Sequence, residues 1–191
     1  MKHQIVIAAD VAPQPWRNGG GQTRELLAWP DANDWQLRIS RADIEADGPF
    51  SAFPGVQRWF AVLRGVGVAL RFADGERLLR QSDAPLQFDG AAAPGCRLLD
   101  GATQDLNLMA RGGTGCMQQV LAHQPWQDRF ALRALYTAVP GRWNTARASA
   151  DLPAHTLLWA QEADTEAWTF QPASHVAEAK AWWLGFRPGG A

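Results

Sequence analysis

Alternating apolar and polar residues along the chain predict β-strands. In the segments 35–40 and 105–111 every second residue is apolar, and the residues between them are mostly polar. A period of two places successive side chains on opposite faces, so each segment is predicted to be a strand with two unlike faces. The same pattern in 66–72, with a return over 77–81, predicts a hairpin that has Asp74-Gly75 as its two-residue turn.

The second half of the chain continues in the same way and shows little helical periodicity. Strands are predicted over 156–161, 167–170 and 181–187, with one short helical turn over 174–180. Eighteen glycines and twelve prolines cut the chain into pieces of strand length. We therefore expect an all-β sandwich or barrel, which the change of pattern at 112–115 divides into two closely packed β subdomains.

Composition and charge exclude several classes of protein. Apolar residues make up 47% of the 191 residues and charged residues 19%, which is enough for a packed core and too little charge for a disordered chain. A net charge of -1 gives no reason to expect nucleic acid or an anionic membrane as a partner. Two cysteines and the lack of a signal-peptide pattern predict a cytoplasmic protein without disulfides. The ten tryptophans are expected in the core or, alternatively, around a ligand cavity.

Residues 15–25, Pro-Trp-Arg-Asn-Gly-Gly-Gly-Gln-Thr-Arg-Glu, form the most unusual segment. Three consecutive glycines indicate either a flexible loop or backbone that passes very close to another group. The segment lacks the lysine of a P-loop, so a turn or a pocket lid is expected rather than a phosphate cradle. The glycines at 112–115 likewise do not form a dinucleotide-binding fingerprint.

The residues that usually carry catalysis are scattered. His3, His123, His155 and His175 are isolated from one another and form no HxH or HExxH pattern, so neither a metal nor another cofactor is expected. No serine lies in a GxSxG elbow, and neither cysteine has the surroundings of a nucleophile. A binding protein is therefore favoured over an enzyme.

Arg38, Ser40, Asn107 and Arg111 lie on the polar faces of the two alternating segments. One interpretation is that these faces contact solvent, as in most antiparallel sheets. The other is that they face the interior of a small barrel, surround a tryptophan-lined cavity and donate hydrogen bonds to an acidic small molecule. Both interpretations are compatible with the pattern.

Three motifs stand out in the first 111 residues. They are the run Pro15–Gly21 with Thr23-Arg24-Glu25, the run Gly48–Ser51 with Phe53-Pro54-Gly55 and Arg58, and the run Asp105–Met109 with Arg111. Together they resemble the HutD/Ves family of bacterial proteins, which is part of the cupin superfamily. The chain departs from that family at Arg17, Gln57 and Ala102, where the family usually has lysine, an acidic residue and proline.

The resemblance implies an all-β bicupin, in which two double-stranded β-helix (jelly-roll) barrels are fused in one chain. Residues 1–111, with the Trp/Gly-rich loop, would form the first barrel and its pocket, and residues 112–191 a second barrel packed closely on the first. Metal-dependent cupins carry a glycine-led HxH run, whereas residues 65–70 contain no metal ligand. The resemblance also implies an association with histidine utilisation and a ligand such as urocanate or a formyl or formimino glutamate.

The preferred hypothesis is a metal-free cupin that senses or limits an acidic intermediate of histidine breakdown. Arg38 and Arg111 would form a paired site for carboxylates on adjacent strands. The asparagines would bond an amide, formyl or imidazole group, and the aromatic residues would cover the apolar part of the ligand. The expected ligand-binding residues are Trp16, Asn18, Thr23, Arg38, Ser40, Phe50, Asn107 and Arg111. The expected partner is a small acidic metabolite, with neither nucleic acid nor membrane, and a homodimer is considered as the oligomeric state.

Two alternatives stay open. A metal-independent isomerase or hydrolase would use Glu25 or Asp105 as its general base. A regulator would instead bind a protein partner through exposed tryptophans.

Overall fold

The computed structural model describes residues 3–121, 124–161, 166–173 and 180–190. Within these ranges the chain forms strands and two short 3-10 helices, Ala8–Asp10 and Gly90–Ala92, and contains no α-helix. No helix in these ranges is long and apolar enough to cross a membrane. The all-β prediction is confirmed, while the helical turn predicted over 174–180 lies, apart from Lys180, outside the described residues.

The strands are numbered in chain order, and all of their pairings are antiparallel. The first half contains β1 (Gln4–Ile7), β2 (Gln14–Pro15), β3 (Gly21–Trp29), β4 (Leu37–Ile44), β5 (Gly48–Pro49), β6 (Val56–Arg64), β7 (Val68–Phe72), β8 (Gly75–Leu79), β9 (Leu86–Asp89), β10 (Gly95–Leu98) and β11 (Thr103–Arg111). The second half contains β12 (Gly113–Gln119), β13 (Leu132–Thr137), β14 (Gly141–Asn144), β15 (Ser149–Leu152), β16 (Thr156–Gln161), β17 (Thr169–Pro172) and β18 (Ala181–Pro188).

The strands form four layers. The two larger sheets, β2-β3-β4-β11-β6-β9 and β1-β16-β13-β18-β12, pack against each other through an apolar cluster that includes Ile39, Leu108 and Leu184. The sheet β5-β10-β7-β8 covers the other face of the first, and the sheet β15-β14-β17 covers the other face of the second. This is a double-stranded β-helix architecture, and it fits the predicted pair of closely packed barrels. The two sheets that contain β11 and β7 are called the first barrel, and the two that contain β13 and β14 the second barrel.

Strand β11 shows how the alternation divides the layers. Leu106 and Leu108 are fully buried between the two larger sheets, whereas Asp105 and Asn107 point the other way, into the first barrel. Asn107 is only 6% exposed, and Ser40 on the neighbouring β4 is 5% exposed. The separation of faces was therefore predicted correctly, and the interpretation in which the polar faces contact solvent is wrong for these two residues.

One strand crosses the predicted division between residues 111 and 112. Strand β12 pairs with β18 within the second half, but β1 pairs with β16. Residues 4–7 therefore complete a sheet of the second half. The division into 1–111 and 112–191 stays a prediction, and β1 is a strand of the first segment that pairs within a sheet of the second.

The predicted hairpin is present, with its turn shifted by one residue. Strands β7 and β8 pair with Phe72 opposite Gly75, so the turn is Ala73-Asp74 rather than Asp74-Gly75. Gly75 has a φ of +139 at the start of β8, a backbone conformation that L side chains rarely adopt. The glycine is therefore needed on the strand side of the turn.

Candidate ligand-binding site

One end of the first barrel encloses a cavity of about 560 Å³. Its floor is buried, since Ser40, Phe60 and Asn107 expose 5%, 0% and 6% of their surface. Its mouth includes the exposed Arg17 and Asn18 of the glycine-rich loop. The lining residues are Gln14, Pro15, Trp16, Arg17, Asn18, Thr23, Arg38, Ser40, Ala42, Ile44, Pro49, Phe50, Ser51, Phe53, Arg58, Phe60, Asn107 and Met109. Three of them are arginines and none is acidic, so the cavity is electropositive.

Three neighbouring strands bring the polar side chains of the floor into register. Met109 of β11 lies opposite Arg38 of β4 and Arg58 of β6. Asn107, which precedes Met109 by two residues on β11, lies opposite Ser40 of β4. Directly opposed residues of antiparallel strands share a face of the sheet, so both arginines reach the cavity at one level and the asparagine and serine at the next.

Arg58 is the most deeply placed cation of the cavity, with 5% of its surface exposed. Its Nη2 donates a hydrogen bond of 3.0 Å to Asn107 Oδ1, and its Nη1 donates a long one of 3.5 Å to the Ser51 carbonyl. Its guanidinium carbon lies 5.1 Å from the ring centres of both Phe50 and Phe88. Aromatic faces and two neutral acceptors therefore hold this side chain in place.

The charge of Arg58 is not neutralised by any carboxylate among the described residues. Burial, together with the smaller effect of the nearby Arg38 charge, lowers the pKa of Arg58 to about 10. The group is still cationic at neutral pH. Because a buried charge is costly unless it is paired, an anion in the cavity would be stabilised by it.

Arg38 differs from Arg58 in having an internal counter-ion. Its Nε lies 2.6 Å from Glu25 Oε2 on β3, and both side chains are about one-fifth exposed, at 20% and 23%. Glu25 does not line the cavity, so it holds Arg38 from the side. The remaining guanidinium nitrogens of Arg38 are available to a ligand.

The glycine-rich loop lies against the cavity, which its residues Trp16, Arg17 and Asn18 line. Trp16 Nε1 donates a hydrogen bond of 2.8 Å to Thr23 Oγ1, and the Trp16 backbone nitrogen donates one of 2.9 Å to the Gly21 carbonyl. Gly19 has a φ of +70, which favours glycine. A Cβ on Gly21 would lie 2.3 Å from the Asp43 carbonyl oxygen. Of the two interpretations of the glycine run, the close backbone approach is the one observed at Gly21.

Seven of the eight residues that sequence reasoning assigned to ligand binding line this one cavity. They are Trp16, Asn18, Thr23, Arg38, Ser40, Phe50 and Asn107. Their role in binding stays a prediction, but their convergence is a property of the fold.

Arg111 is the exception, and the predicted pairing of Arg38 with Arg111 is wrong. Arg111 ends β11 at the surface, where its Nη2 lies 2.8 Å from Asp34 Oδ1 and 2.9 Å from the Trp35 carbonyl. Its guanidinium carbon lies 5.2 Å from the centre of the Trp35 ring. The loop before β4 therefore supplies its partners and draws the side chain away from the cavity.

Sequence reasoning missed Arg58 as a site residue, although it belongs to one of the motifs quoted for the family resemblance. Strand β6 is buried on both faces, and its residues 59–63 form an unbroken apolar run. A strand of this kind shows no alternation, so the pattern could not assign Arg58 to a face. A lone arginine within a buried strand is the signal that could have identified it.

Neither candidate general base lines the cavity. Glu25 is held by Arg38, and Asp105 is fully buried beneath the floor, where Thr103 Oγ1 donates a hydrogen bond of 2.7 Å to its Oδ2. Burial raises the pKa of Asp105 well above its usual value. Burial therefore favours the protonated, neutral form of Asp105, and this side chain lies out of reach of a ligand in the cavity.

The described residues contain no group of three or more His, Cys, Asp or Glu side chains that could hold a metal ion. Within that part of the chain, His155 bonds the Tyr136 hydroxyl through Nδ1 at 3.0 Å, and the ring of His3 lies 4.4 Å from that of Trp143. His123 and His175 lie outside the described residues.

All ten tryptophans fall within the described residues, and each is buried or partly buried. Trp126, Trp143, Trp168 and Trp183 fill the interior of the second barrel. Six of the ten are buried in the core, and Trp16 lines the cavity, so both expected locations occur. None of the ten is exposed, so the exposed tryptophans on which the protein-partner alternative relied are not present.

Sequence comparison relates the chain to two curated proteins. It is 41% identical over 110 residues to an uncharacterized 21.2 kDa protein in the hutC 3' region of Pseudomonas putida, which covers 56% of this chain and 57% of that protein. It is 38% identical over 98 residues to protein Ves of Citrobacter koseri, which covers 50% of this chain and 51% of that protein. The chain therefore spans about half the length of these curated relatives.

Two solved structures match over nearly the whole chain. A conserved protein of unknown function from Pseudomonas aeruginosa PAO1 has a TM-score of 0.87 at 27% identity, covering 99% of this chain and 100% of that one. HutD from Pseudomonas fluorescens SBW25 has a TM-score of 0.84 at 23% identity, with the same coverage of 99% and 100%, and this likeness shows the fold. The family model named HutD matches residues 8–178. Since this match extends over both barrels and the cavity, the chain belongs to the HutD family.

Proposed function

We propose that this protein binds a small acidic metabolite in the cavity of the first barrel, without turning it over. The observation that carries the proposal is Arg58, a buried cation that faces the cavity and has no carboxylate partner among the described residues. A ligand carboxylate would supply the missing counter-ion, in a setting where a charge-assisted hydrogen bond is strong.

The lining supports a ligand with an anionic group and an apolar part. Arg58 and Arg38 would share the carboxylate, and Ser40 would add a hydroxyl at the floor. Trp16 and Phe50 would cover the apolar part. The volume of about 560 Å³ lies within the usual range for small-molecule sites, roughly 300–1,000 Å³.

The proposed source of the ligand is histidine breakdown. The relative in Pseudomonas putida is named for its position beside hutC, and this chain belongs to the HutD family. Urocanate, N-formyl-L-glutamate and N-formimino-L-glutamate are acids of the size that the cavity accommodates. Binding is favoured over catalysis because Glu25 and Asp105, the acids proposed as bases, do not line the cavity.

A thermal-shift screen of these three acids, with L-histidine as a comparison compound, tests the proposal. A ligand at 100 times its dissociation constant should stabilise the protein by about 2.7 kcal/mol. Each acid that shifts the midpoint is then incubated with the protein and followed by NMR, with no conversion expected. The lack of a shift with every acid would contradict binding, and stoichiometric conversion would support the enzymatic alternative.

A further inference from the structure

Glu25 lies at the margin of the cavity without lining it. On β3 it follows Thr23 by two residues, and it lies opposite Ser40 of β4. Both Thr23 and Ser40 line the cavity. Side chains two residues apart on a strand share one face of the sheet, and so do directly opposed side chains of neighbouring strands. The Glu25 side chain is therefore on the cavity face.

Glu25 and a ligand in the cavity would use the same cation. Glu25 Oε2 lies 2.6 Å from Arg38 Nε, so Arg38 has a counter-ion before any ligand enters. Arg58, at the same level of the floor, has no carboxylate partner among the described residues. Only one of these two arginines is therefore neutralised by the protein itself.

An anion on the floor would also come close to the Glu25 carboxylate. Directly opposed residues of antiparallel strands have Cβ atoms about 4.5–5.5 Å apart, so an anion held at Ser40 and Arg38 would be roughly one strand spacing from Glu25. Like charges at such a separation repel each other appreciably where water is partly excluded. Glu25 therefore opposes binding in two ways, because it shares Arg38 with the ligand and because it repels the ligand.

We propose that Glu25 sets the affinity of the cavity for anions by competing with the ligand for Arg38. It keeps binding weaker than the arginines alone would make it, so that occupancy of the cavity responds to a higher range of ligand concentration. This inference rests on the proposed binding of acids and names the residue that regulates its strength.

A role for Glu25 in positioning Arg38 predicts a change of the opposite sign. If Glu25 served to direct the Arg38 guanidinium into the cavity, its removal would release that side chain and weaken binding. If competition dominates, removal of the negative charge strengthens binding, because the whole guanidinium charge becomes available to the ligand. The sign of the change in affinity therefore distinguishes the two roles.

Asp43 offers a matched control on the other face of the same sheet. It follows Ala42 on β4, and since Ala42 lines the cavity, the Asp43 side chain points away from it. Asp43 Oδ2 lies 3.2 Å from Arg41 Nη2, and Asp43 is 14% exposed against 23% for Glu25. Asp43→Asn therefore removes one arginine-paired negative charge at similar burial without a change in the cavity.

The test is calorimetric titration of the full chain with urocanate and with N-formyl-L-glutamate. Glu25→Gln keeps the shape of the side chain, and it should bind the acid that the wild type binds at least about tenfold more tightly. Asp43→Asn should change the affinity by less than about threefold. Glu25→Ala removes the same charge with a different side chain and should show the same direction of change, so it replaces Glu25→Gln if that variant does not fold. Unfolding midpoints are measured alongside.

The variant Arg38→Met shows whether the effect of Glu25 passes through Arg38. In that background Glu25→Gln should strengthen binding less than it does in the wild type, because no shared cation remains. The difference between the two changes measures the coupling of Glu25 and Arg38 in binding.

The outcomes separate this inference from the proposed function. Unchanged or lower affinity in the Glu25 variants, an equal gain with Asp43→Asn, or an undiminished gain in the Arg38→Met background would overturn the competition while acid binding stands. If neither acid binds to the wild type or to any variant, acid binding itself is overturned, and the inference with it.

Discussion

Each barrel buries an arginine in its interior, and the two arginines have different surroundings. Arg133 in the second barrel is 0% exposed. It donates a hydrogen bond of 2.7 Å to the Glu166 carbonyl and one of 2.9 Å to the Trp126 carbonyl. Its guanidinium carbon lies 4.7 Å from the ring centre of Trp126 and 4.6 Å from that of Trp168. Arg58 in the first barrel meets aromatic rings in a similar way, but one side of it faces a cavity.

The two buried arginines differ in how far the protein itself completes their hydrogen bonds. The second barrel supplies carbonyls and tryptophan faces around Arg133 from its own chain. The first barrel leaves Arg58 with one side-chain acceptor, one long carbonyl contact and open space. Five predictions test this difference.

Arg133→Met should cause the largest loss of stability. It removes the two hydrogen bonds that the guanidinium donates to the carbonyls of Glu166 and Trp126, and a hydrogen bond to a charged group contributes about 1.5–3 kcal/mol. Urea unfolding should show this loss, while the affinity of the folded protein for an acid is unchanged. A stability equal to that of the wild type would mean that Arg133 is not structural.

Arg58→Met should have the opposite profile. Affinity for an acidic ligand is expected to fall by about 1.5–3 kcal/mol, roughly tenfold to a hundredfold, because a charge-assisted hydrogen bond is lost. Stability should change little, because removal of the desolvated cation offsets the lost contacts. Calorimetric titration measures the affinity, and Arg58→Lys should restore only part of it because the planar fork is absent. Unchanged affinity in a folded variant would remove the basis of the proposed site.

Gly21→Ala tests whether close backbone contact holds the glycine-rich loop at the cavity. The new Cβ would meet the Asp43 carbonyl at 2.3 Å, so a destabilisation of about 1–3 kcal/mol is expected. Gly20→Ala is the matched control, because its nearest contact would be 3.4 Å, to the Asn18 side chain. Equal midpoints in thermal unfolding would show that the loop yields at both positions.

Asp105→Asn tests the buried acid beneath the cavity floor. The pKa of Asp105 is raised in the folded protein, so its contribution to stability is fully present below the unfolded value of 3.8 and is lost as the pH rises through the folded pKa. Asparagine can accept the same hydrogen bond from Thr103 and does not ionise. The stability of the variant relative to wild type should therefore increase with pH, as urea unfolding at several pH values would show. A constant difference would mean that Asp105 does not titrate with folding.

Arg111→Met should have the smallest effect. Its partner Asp34 is 88% exposed, and surface ion pairs contribute about 0–1 kcal/mol. Neither unfolding midpoint nor ligand affinity should change appreciably. A loss of affinity comparable to that of Arg58→Met would restore Arg111 to the site.

Much of the site could be predicted because it lies on strands with a clear period of two. Ser40 and Asn107 alternate with apolar neighbours, and this period by itself assigns them to the polar faces of their strands. Arg58 could not be found in this way, since its strand is buried on both faces. The prediction placed the turn at Asp74-Gly75 instead of Ala73-Asp74, because glycine suits a turn and also a strand start with a positive φ.

The sequence alone determined that this protein is all-β and which residues lie on the polar and apolar faces of its strands. It also carried the resemblance that led to the HutD family. Tertiary structure decided which polar face closes around a cavity, because that depends on which sheet packs against it. It also decided between Arg58 and Arg111, since the partners of a long side chain come from segments far away in sequence. Arg111 meets Asp34 at the surface, and Arg58 meets Asn107 at the cavity floor.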